Sequence, residues 1–274
     1  SSGGGGTSSS GGGGTSSSGG GGTSSSGGGG TSSSGGGSCS LPSGVPCTMN
    51  EVFDDNFMGS SVNTSYWDPE GFWYSPNSGS GGGADLDQAS QITQGNGSLN
   101  ITAIRQNNGN YTWLSGSINT SPNGANPGFA ISPPFYVQFT AKLPPAGAGL
   151  WPALWLLHNG GSYQEADLME SVGNPNTFYS TWHQTSSSSI GQTFNPGVNL
   201  SQSENSFGAY MTSDSLTWYF DGNKIGNSVS ISDPGSFFLV MNLAVGDSGS
   251  WPGPANSSTP NPAVFTIYNV SVYQ

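Results

Sequence analysis

The stretch that decides the fold reads GLWPALWLLHNGGSYQEADLMESVGN, residues 149–174. Its first part alternates. Trp151, Ala153 and Trp155 share one parity, and Pro152, Leu154 and Leu156 share the other. A strand here puts two indole rings on one face and aliphatic side chains on the opposite one. Its second part concentrates charge: of the chain's 15 acidic residues, Glu165, Asp167 and Glu170 fall within six positions. In a regular strand Glu165 and Asp167 point to one face and Glu170 to the other. One extra residue at Leu168–Met169, a β-bulge, returns Glu170 to the face of the other two and leaves the apolar side for the core. The spacing therefore predicts a row of three carboxyls on one face, beside a strand that presents two indoles.

Further strand signals recur on both sides of this stretch, between clusters of Gly, Pro, Asn and Ser. SLNITAIRQ (98–106), FYVQFTAKL (135–143), TFYSTWHQT (177–185), SLTWYFDGNKI (215–225), SFFLVMNLAV (236–245) and VFTIYNVSVYQ (264–274) read as strands. Asp221-Gly222-Asn223 is hairpin-turn chemistry, and no capped window of helical period stands out. Many short strands in one domain predict an all-β fold, a jelly-roll sandwich of two antiparallel sheets with one sheet bent into a concave cleft.

The chain has 274 residues, and residues 1–37 contain only Gly, Ser and Thr, repeating TSSSGGGG with a period of eight. Such a segment has no side chain to bury against the entropy of ordering, so it reads as a flexible linker, with a further domain or an anchor upstream of it. A stacked solenoid is the alternative, but it needs apolar residues for its core. Residues 38–274 hold all 8 Trp, 10 Tyr and 13 Phe and read as one domain. They also hold both cysteines, Cys39 and Cys47, whose close spacing suggests a local disulfide and an oxidising, extracellular compartment; two free thiols are the alternative. The net charge is −12, with only Arg105, Lys142 and Lys224 as basic residues, too few to neutralise phosphates, so no nucleic-acid partner is expected. No run approaches the ~20 apolar residues of a membrane span.

Three like charges in a row destabilise a strand pair and push some of their pKa values up. A structural protein gains little from this, whereas a glycosidase gains an ionised nucleophile and a protonated acid. Along the strand Glu165 and Glu170 are about 13 Å apart at Cα, but a retaining pair needs carboxyls about 5–5.5 Å apart. That requires a concave sheet, with both Glu side chains leaning over Asp167. A calcium site and a solvated edge strand are the alternatives for the acidic cluster, and core packing is the alternative for the tryptophans. The indoles beside the carboxyl row favour a sugar cleft, since their faces stack on the apolar faces of sugar rings.

At these residues the sequence resembles glycoside hydrolase family 16, in particular its laminarinase-like members with a bulged Glu-x-Asp-x-x-Glu strand. FDDNF (53–57), SGSINT (115–120), LPPAGAGLWPALWLL (143–157), TFYSTWH (177–183), MNLAVG (241–246), SWPG (250–253) and VSVYQ (270–274) follow the family's order. The resemblance implies a concanavalin-like jelly roll and a double-displacement, retaining mechanism without a cofactor. It implies Glu165 as nucleophile, Glu170 as acid and base, and Asp167 between them. It places His183 on the adjacent strand near the cleft, and Trp251 in the loop that lines donor subsites. Departures are Gln164 and Ala166 at the motif, and GADLDQAS (83–90) in place of an Asn-Asn-Glu segment. Tyr268 stands where many relatives carry an acidic ligand for a structural calcium ion, which leaves calcium with little support.

A polyanionic glycan needs Arg or Lys partners that this chain lacks, and its charge repels one at long range. The expectation is a secreted, monomeric endo-acting hydrolase of a neutral polysaccharide, a β-1,3-glucan or a mixed β-1,3/1,4-glucan. A galactan or agar hydrolase, a transglycosylase of the same family and a noncatalytic carbohydrate-binding module remain the alternatives.

Overall fold

The computed structural model describes residues 39–69, 81–108, 111–122 and 127–274. The linker expected at 1–37 lies outside the described residues. Residues Cys39–Gln274 form one compact unit.

In chain order the strands are β1 Glu51–Asp55, β2 Asp85–Asp87, β3 Ile92–Gly95, β4 Ser98–Asn108, β5 Tyr111–Ser115, β6 Ser117–Asn119, β7 Ala130–Ile131, β8 Phe135–Lys142 and β9 Leu150–His158. They continue with β10 Glu165–Glu170, β11 Phe178–Thr185, β12 Ser188–Phe194, β13 Asn205–Met211, β14 Ser215–Phe220, β15 Asn223–Ser230, β16 Phe237–Val245 and β17 Ala263–Tyr273. A 3-10 turn at Ala89–Gln91 is the one helical element among the described residues. The Asp221-Gly222 turn joins β14 to β15 with both residues at positive φ, 46° and 72°, as a two-residue hairpin of this hand requires.

The strands form two sheets, as the sandwich reading requires. The larger runs β15-β14-β13-β8-β17-β4-β5-β2, with β1 on β17 and β3 on β4; the smaller runs β12-β11-β10-β9-β16-β6, with β7 on β16. One pairing departs from the antiparallel expectation: β2 lies parallel to β5, Asp85 opposite Trp113. Three residues are too few for alternation to fix a strand's direction. Buried Asp85 accepts the Val245 N–H, tying β2 to the end of β16.

The core lies between the sheets. Val137, Phe139, Phe207 and Phe265 come from the larger sheet, and Leu154, Leu156, Ala166, Leu168, Met169 and Trp182 from the smaller. In β9 the even-numbered apolar residues thus face the core, which turns Trp151, Ala153 and Trp155 to the other face. On the outer face of the larger sheet, Val45 packs with Tyr136 and Tyr219. It sits in the loop closed by the expected Cys39–Cys47 disulfide, whose Cα atoms are 5.6 Å apart.

Candidate active site

The carboxyl row depends on one irregularity in β10. Against β11, Asp167 pairs with Thr181 and Glu170 with Tyr179, so Leu168 and Met169 together oppose Ser180. Against β9, Asp167 pairs with Trp155 and Met169 with Leu154. This is the expected bulge. Leu168 and Met169 are both buried in the core, and Glu170 returns to the face of Glu165 and Asp167. The bulge carbonyls are held from outside the ladder. The Trp218 indole N–H, from the larger sheet, donates to Asp167 O at 3.0 Å, and the Ser180 hydroxyl donates to Leu168 O at 2.7 Å, both in buried surroundings. An unpaired carbonyl there would cost free energy, so these two side chains pin the strand where it bends.

Glu165, Asp167 and Glu170 line one pocket of about 150 Å³ with Trp151, Ala153, Trp155 and Asn242. Ala153 stands opposite Glu170 on one side and Asn242 on the other. Its methyl group leaves room between the two indoles. Both indoles are fixed through their N–H groups. Trp151 donates to Glu170 Oε1 at 2.9 Å and Trp155 to Asn242 Oδ1 at 2.8 Å, which leaves the ring faces, rather than the polar edges, as contact surface. Beyond Trp155 the same sheet face continues as an apolar patch of Leu157, Phe238 and Val240.

His183 lies directly opposite Glu165 in the β10–β11 register. Its Nε2 is 3.1 Å from Asp167 Oδ2 and 3.5 Å from Glu165 Oε1. With the proton on Nε2, the imidazole bridges both carboxyl groups. Glu165, Asp167 and His183 donor atoms fall within 4.8 Å of one another, a spacing compatible with a cation. The nitrogen aimed at two carboxylate oxygens is also the geometry of a hydrogen-bond donor between two acceptors. Trp251 is half-exposed and stands edge-on to Trp151, with centroids 5.6 Å apart, and to Tyr179 at 4.9 Å.

Burial raises all three acids. Asp167 is pushed well above the ordinary carboxylate range by burial and then by the Glu165 charge. Glu170 is likewise raised well above it, by burial and then by the Asp167 charge, with the Trp151 hydrogen bond pulling the other way. Glu165 is raised by burial, but hydrogen bonding from Tyr163 and the proximity of His183 both oppose that rise. The row thus contains two acids favoured as proton holders, Asp167 and Glu170, and one with two partners for its ionised form, Glu165.

The structure brings five of the seven expected residues, Trp151, Trp155, Glu165, Asp167 and Glu170, onto the pocket wall. His183 and Trp251 stand beside it through contacts with these residues. Sequence reading missed Asn242 and Tyr163. Asn242 sits within MNLAVG and is brought to the site by the β16–β9 register, which local pattern does not reveal. Tyr163 was legible: it precedes Glu165 by two positions and so shares the parity of the carboxyl row.

The profile of Glycosyl hydrolases family 16 matches residues 91–265. The chain is 30% identical to a glucan endo-1,3-beta-glucosidase A1 of Niallia circulans, over 82% of this chain and 38% of that protein. It is 27% identical to an endo-1,3-1,4-beta-glycanase EglC of Rhizobium meliloti, over 72% of this chain and 46% of that one. The chain therefore spans less than half the length of these curated relatives. Among solved structures, the endo-beta-1,3-glucanase of Pyrococcus furiosus superposes with a TM-score of 0.71 at 28% identity, covering 82% of this chain and 94% of that one.

Proposed function

The chain belongs to glycosyl hydrolase family 16, and from that premise we propose that it is a retaining, endo-acting hydrolase of neutral β-glucans, with β-1,3-glucan as its main substrate. The observation that carries the reading is the arrangement of Glu165, Asp167 and Glu170 on one pocket wall beside Trp151 and Trp155.

Sugar rings stack on Trp151 and Trp155, with Trp251 closing the side of the cleft. Glu165 attacks the anomeric carbon, while Glu170 gives its proton to the leaving glycosidic oxygen. A glycosyl-enzyme ester forms on Glu165. Water then enters, Glu170 takes its proton, and the ester is cleaved with overall retention. The two acids are suited to these tasks by their surroundings: Tyr163 and His183 favour the ionised Glu165, and burial together with the Asp167 charge favours the protonated Glu170. Asp167, joined to His183, holds the imidazole beside Glu165. This chemistry needs no cofactor.

A neutral substrate is supported by the charge inventory. All three basic residues of the chain lie among the described residues, and none lines the pocket. An anionic glycan would meet carboxyls without a cation to pair with. Mixed β-1,3/1,4-glucan is the second reading, favoured by the likeness to an enzyme named for that linkage pattern. The disulfide supports a secreted protein, and the reading is of an enzyme that acts as a monomer.

Reducing-sugar release from a β-1,3-glucan, a mixed-linkage glucan, agarose and a carrageenan tests the proposal, with Glu165→Gln as control. Release from the first, or from the first two, lost in Glu165→Gln, is the expected result. Release from agarose or carrageenan alone would overturn the substrate, and glycan binding without any cleavage would point to a binding module instead.

A further inference from the structure

Tyr163 precedes β10 and donates its hydroxyl to Glu165 Oε2 at 2.7 Å. Its ring stands edge-on to His183, with centroids 6.5 Å apart, and is 38% exposed at the mouth of the site. The other oxygen of the same carboxyl, Oε1, faces His183 Nε2 at 3.5 Å, while that nitrogen lies nearer to Asp167 Oδ2, at 3.1 Å. The two oxygens of Glu165 are therefore held unequally. We propose that Tyr163 is a further catalytic residue: its hydroxyl fixes Oε2, leaves Oε1 as the attacking atom, and speeds cleavage of the glycosyl-enzyme by stabilising the departing carboxylate. The inference rests on the reading of Glu165 as the nucleophile of a retaining glucanase.

The charge on Glu165 changes in both steps. In the first, a lone pair of Oε1 forms the bond to the anomeric carbon. The glycosidic C–O bond breaks, and its electron pair stays on the leaving oxygen, which takes the Glu170 proton. Glu165 is now a neutral ester with Oε2 as its carbonyl oxygen, a weaker acceptor than a carboxylate oxygen. In the second step the oxygen of water bonds to the anomeric carbon and its proton passes to the Glu170 carboxylate. The C–Oε1 bond breaks and its electron pair returns to Glu165. Negative charge grows on both carboxylate oxygens, and the Tyr163 hydrogen bond strengthens with it. The phenol thus stabilises free carboxylate more than ester. It retards formation of the intermediate slightly and promotes its breakdown.

Two features suit Tyr163 to this role. Burial, followed by the hydrogen bond to Glu165, pushes its phenol far above the ordinary value, so it stays a donor wherever the enzyme works. It also has a rigid ring and few rotatable bonds, so little entropy is lost in holding one geometry. The charged and titratable groups that face Glu165 are Tyr163 on its own segment, Asp167 and Glu170 on β10, and His183 on β11.

The test is Tyr163→Phe, which keeps the ring and removes the hydroxyl. The probe is a dinitrophenyl β-glycoside of a β-1,3-linked glucose disaccharide, whose leaving group needs no acid assistance. The expected result is a fall in kcat of about tenfold or more, a parallel fall in KM, and a kcat/KM close to wild type. A burst of dinitrophenolate and a protein mass raised by one disaccharide on the peptide containing Glu165 should accompany it. Tyr163→Ala should accumulate the same adduct, and thermal melts check that both variants are folded. Equal falls in kcat and kcat/KM with no adduct would overturn the role of Tyr163 alone. A wild-type protein that releases no dinitrophenolate and cleaves no β-1,3-glucan would overturn the glucanase reading itself, and the inference with it.

Discussion

Trp151 donates its indole N–H to Glu170 Oε1 across 2.9 Å. One side chain thus lines the pocket and gives its polar edge to the proposed acid, so the position of the ring and the proton affinity of Glu170 are set together. The bond favours the ionised form of Glu170 and works against the rise caused by burial and by Asp167.

Trp151→Phe keeps an aromatic ring but removes that donor. Glu170 should then hold its proton to higher pH. The alkaline limb of the kcat/KM profile should move upward, and kcat/KM at the optimum should fall about tenfold, in keeping with the loss of one charge-assisted hydrogen bond. A pH series on a β-1,3-glucan reads both effects.

His183 acts in the opposite part of the profile. Its proximity is one of the influences that keep Glu165 from rising further. His183→Ala should move the acidic limb of kcat/KM to higher pH, and should lower kcat by about tenfold or more as Asp167 and Glu165 lose their shared neighbour. The same pH series with this variant separates it from Trp151→Phe, because opposite limbs move.

Asp167 and Glu170 have folded-state pKa values raised well above their ordinary ones. The folded protein therefore binds these protons more tightly than the unfolded chain. Their contribution to stability is full below the ordinary carboxylate pKa and is lost as pH rises through the raised values. The melting temperature should accordingly fall with rising pH across that window. Asp167→Asn should flatten the fall and melt higher than wild type at neutral pH while losing activity, which calorimetry at several pH values would show.

Much of this site was legible in the amino-acid sequence. The parity of Glu165 and Asp167 required a bulge to bring Glu170 alongside, and the register shifts in β10 place it at Leu168–Met169. The pairing of Cys39 with Cys47 and the Asp221-Gly222 hairpin were also readable, because both depend on neighbours in the chain. What escaped comes from elsewhere in the fold. Asn242 holds Trp155 from β16, and Trp218 reaches Asp167 from the opposite sheet. Such contacts depend on which strands pair and how the sheets stack, and local alternation carries neither.

Trp218 offers a direct test of how the bulge is held. Trp218→Phe leaves the Asp167 carbonyl without its indole partner and opens a small cavity between the sheets. The expected cost is about 2–4 kcal/mol of stability, together with a loss of activity beyond that explained by unfolding, because Asp167 sits on the carbonyl that has been released. Denaturant melts and activity measured at a temperature where the variant is fully folded distinguish the two contributions.

The disulfide loop lies on the outer face of the larger sheet, where Val45 packs on Tyr136 and Tyr219. Replacing Cys39 and Cys47 by Ser should cost about 2–3 kcal/mol through the freed unfolded chain. With the carboxyl row untouched on the other sheet, kcat/KM should stay at the wild-type value below the lowered melting temperature. Activity and melting curves of the double variant, compared with reduced wild type, check this.

The most direct measurement of the central claim is the anomeric configuration of the first product, followed by proton NMR as the enzyme cleaves a β-1,3-glucan oligosaccharide. A double displacement through Glu165 predicts that the β-anomer appears first and the α-anomer only later, by mutarotation, with no product from Glu165→Gln. An α-anomer at the earliest times, or undiminished turnover by Glu165→Gln, would contradict it.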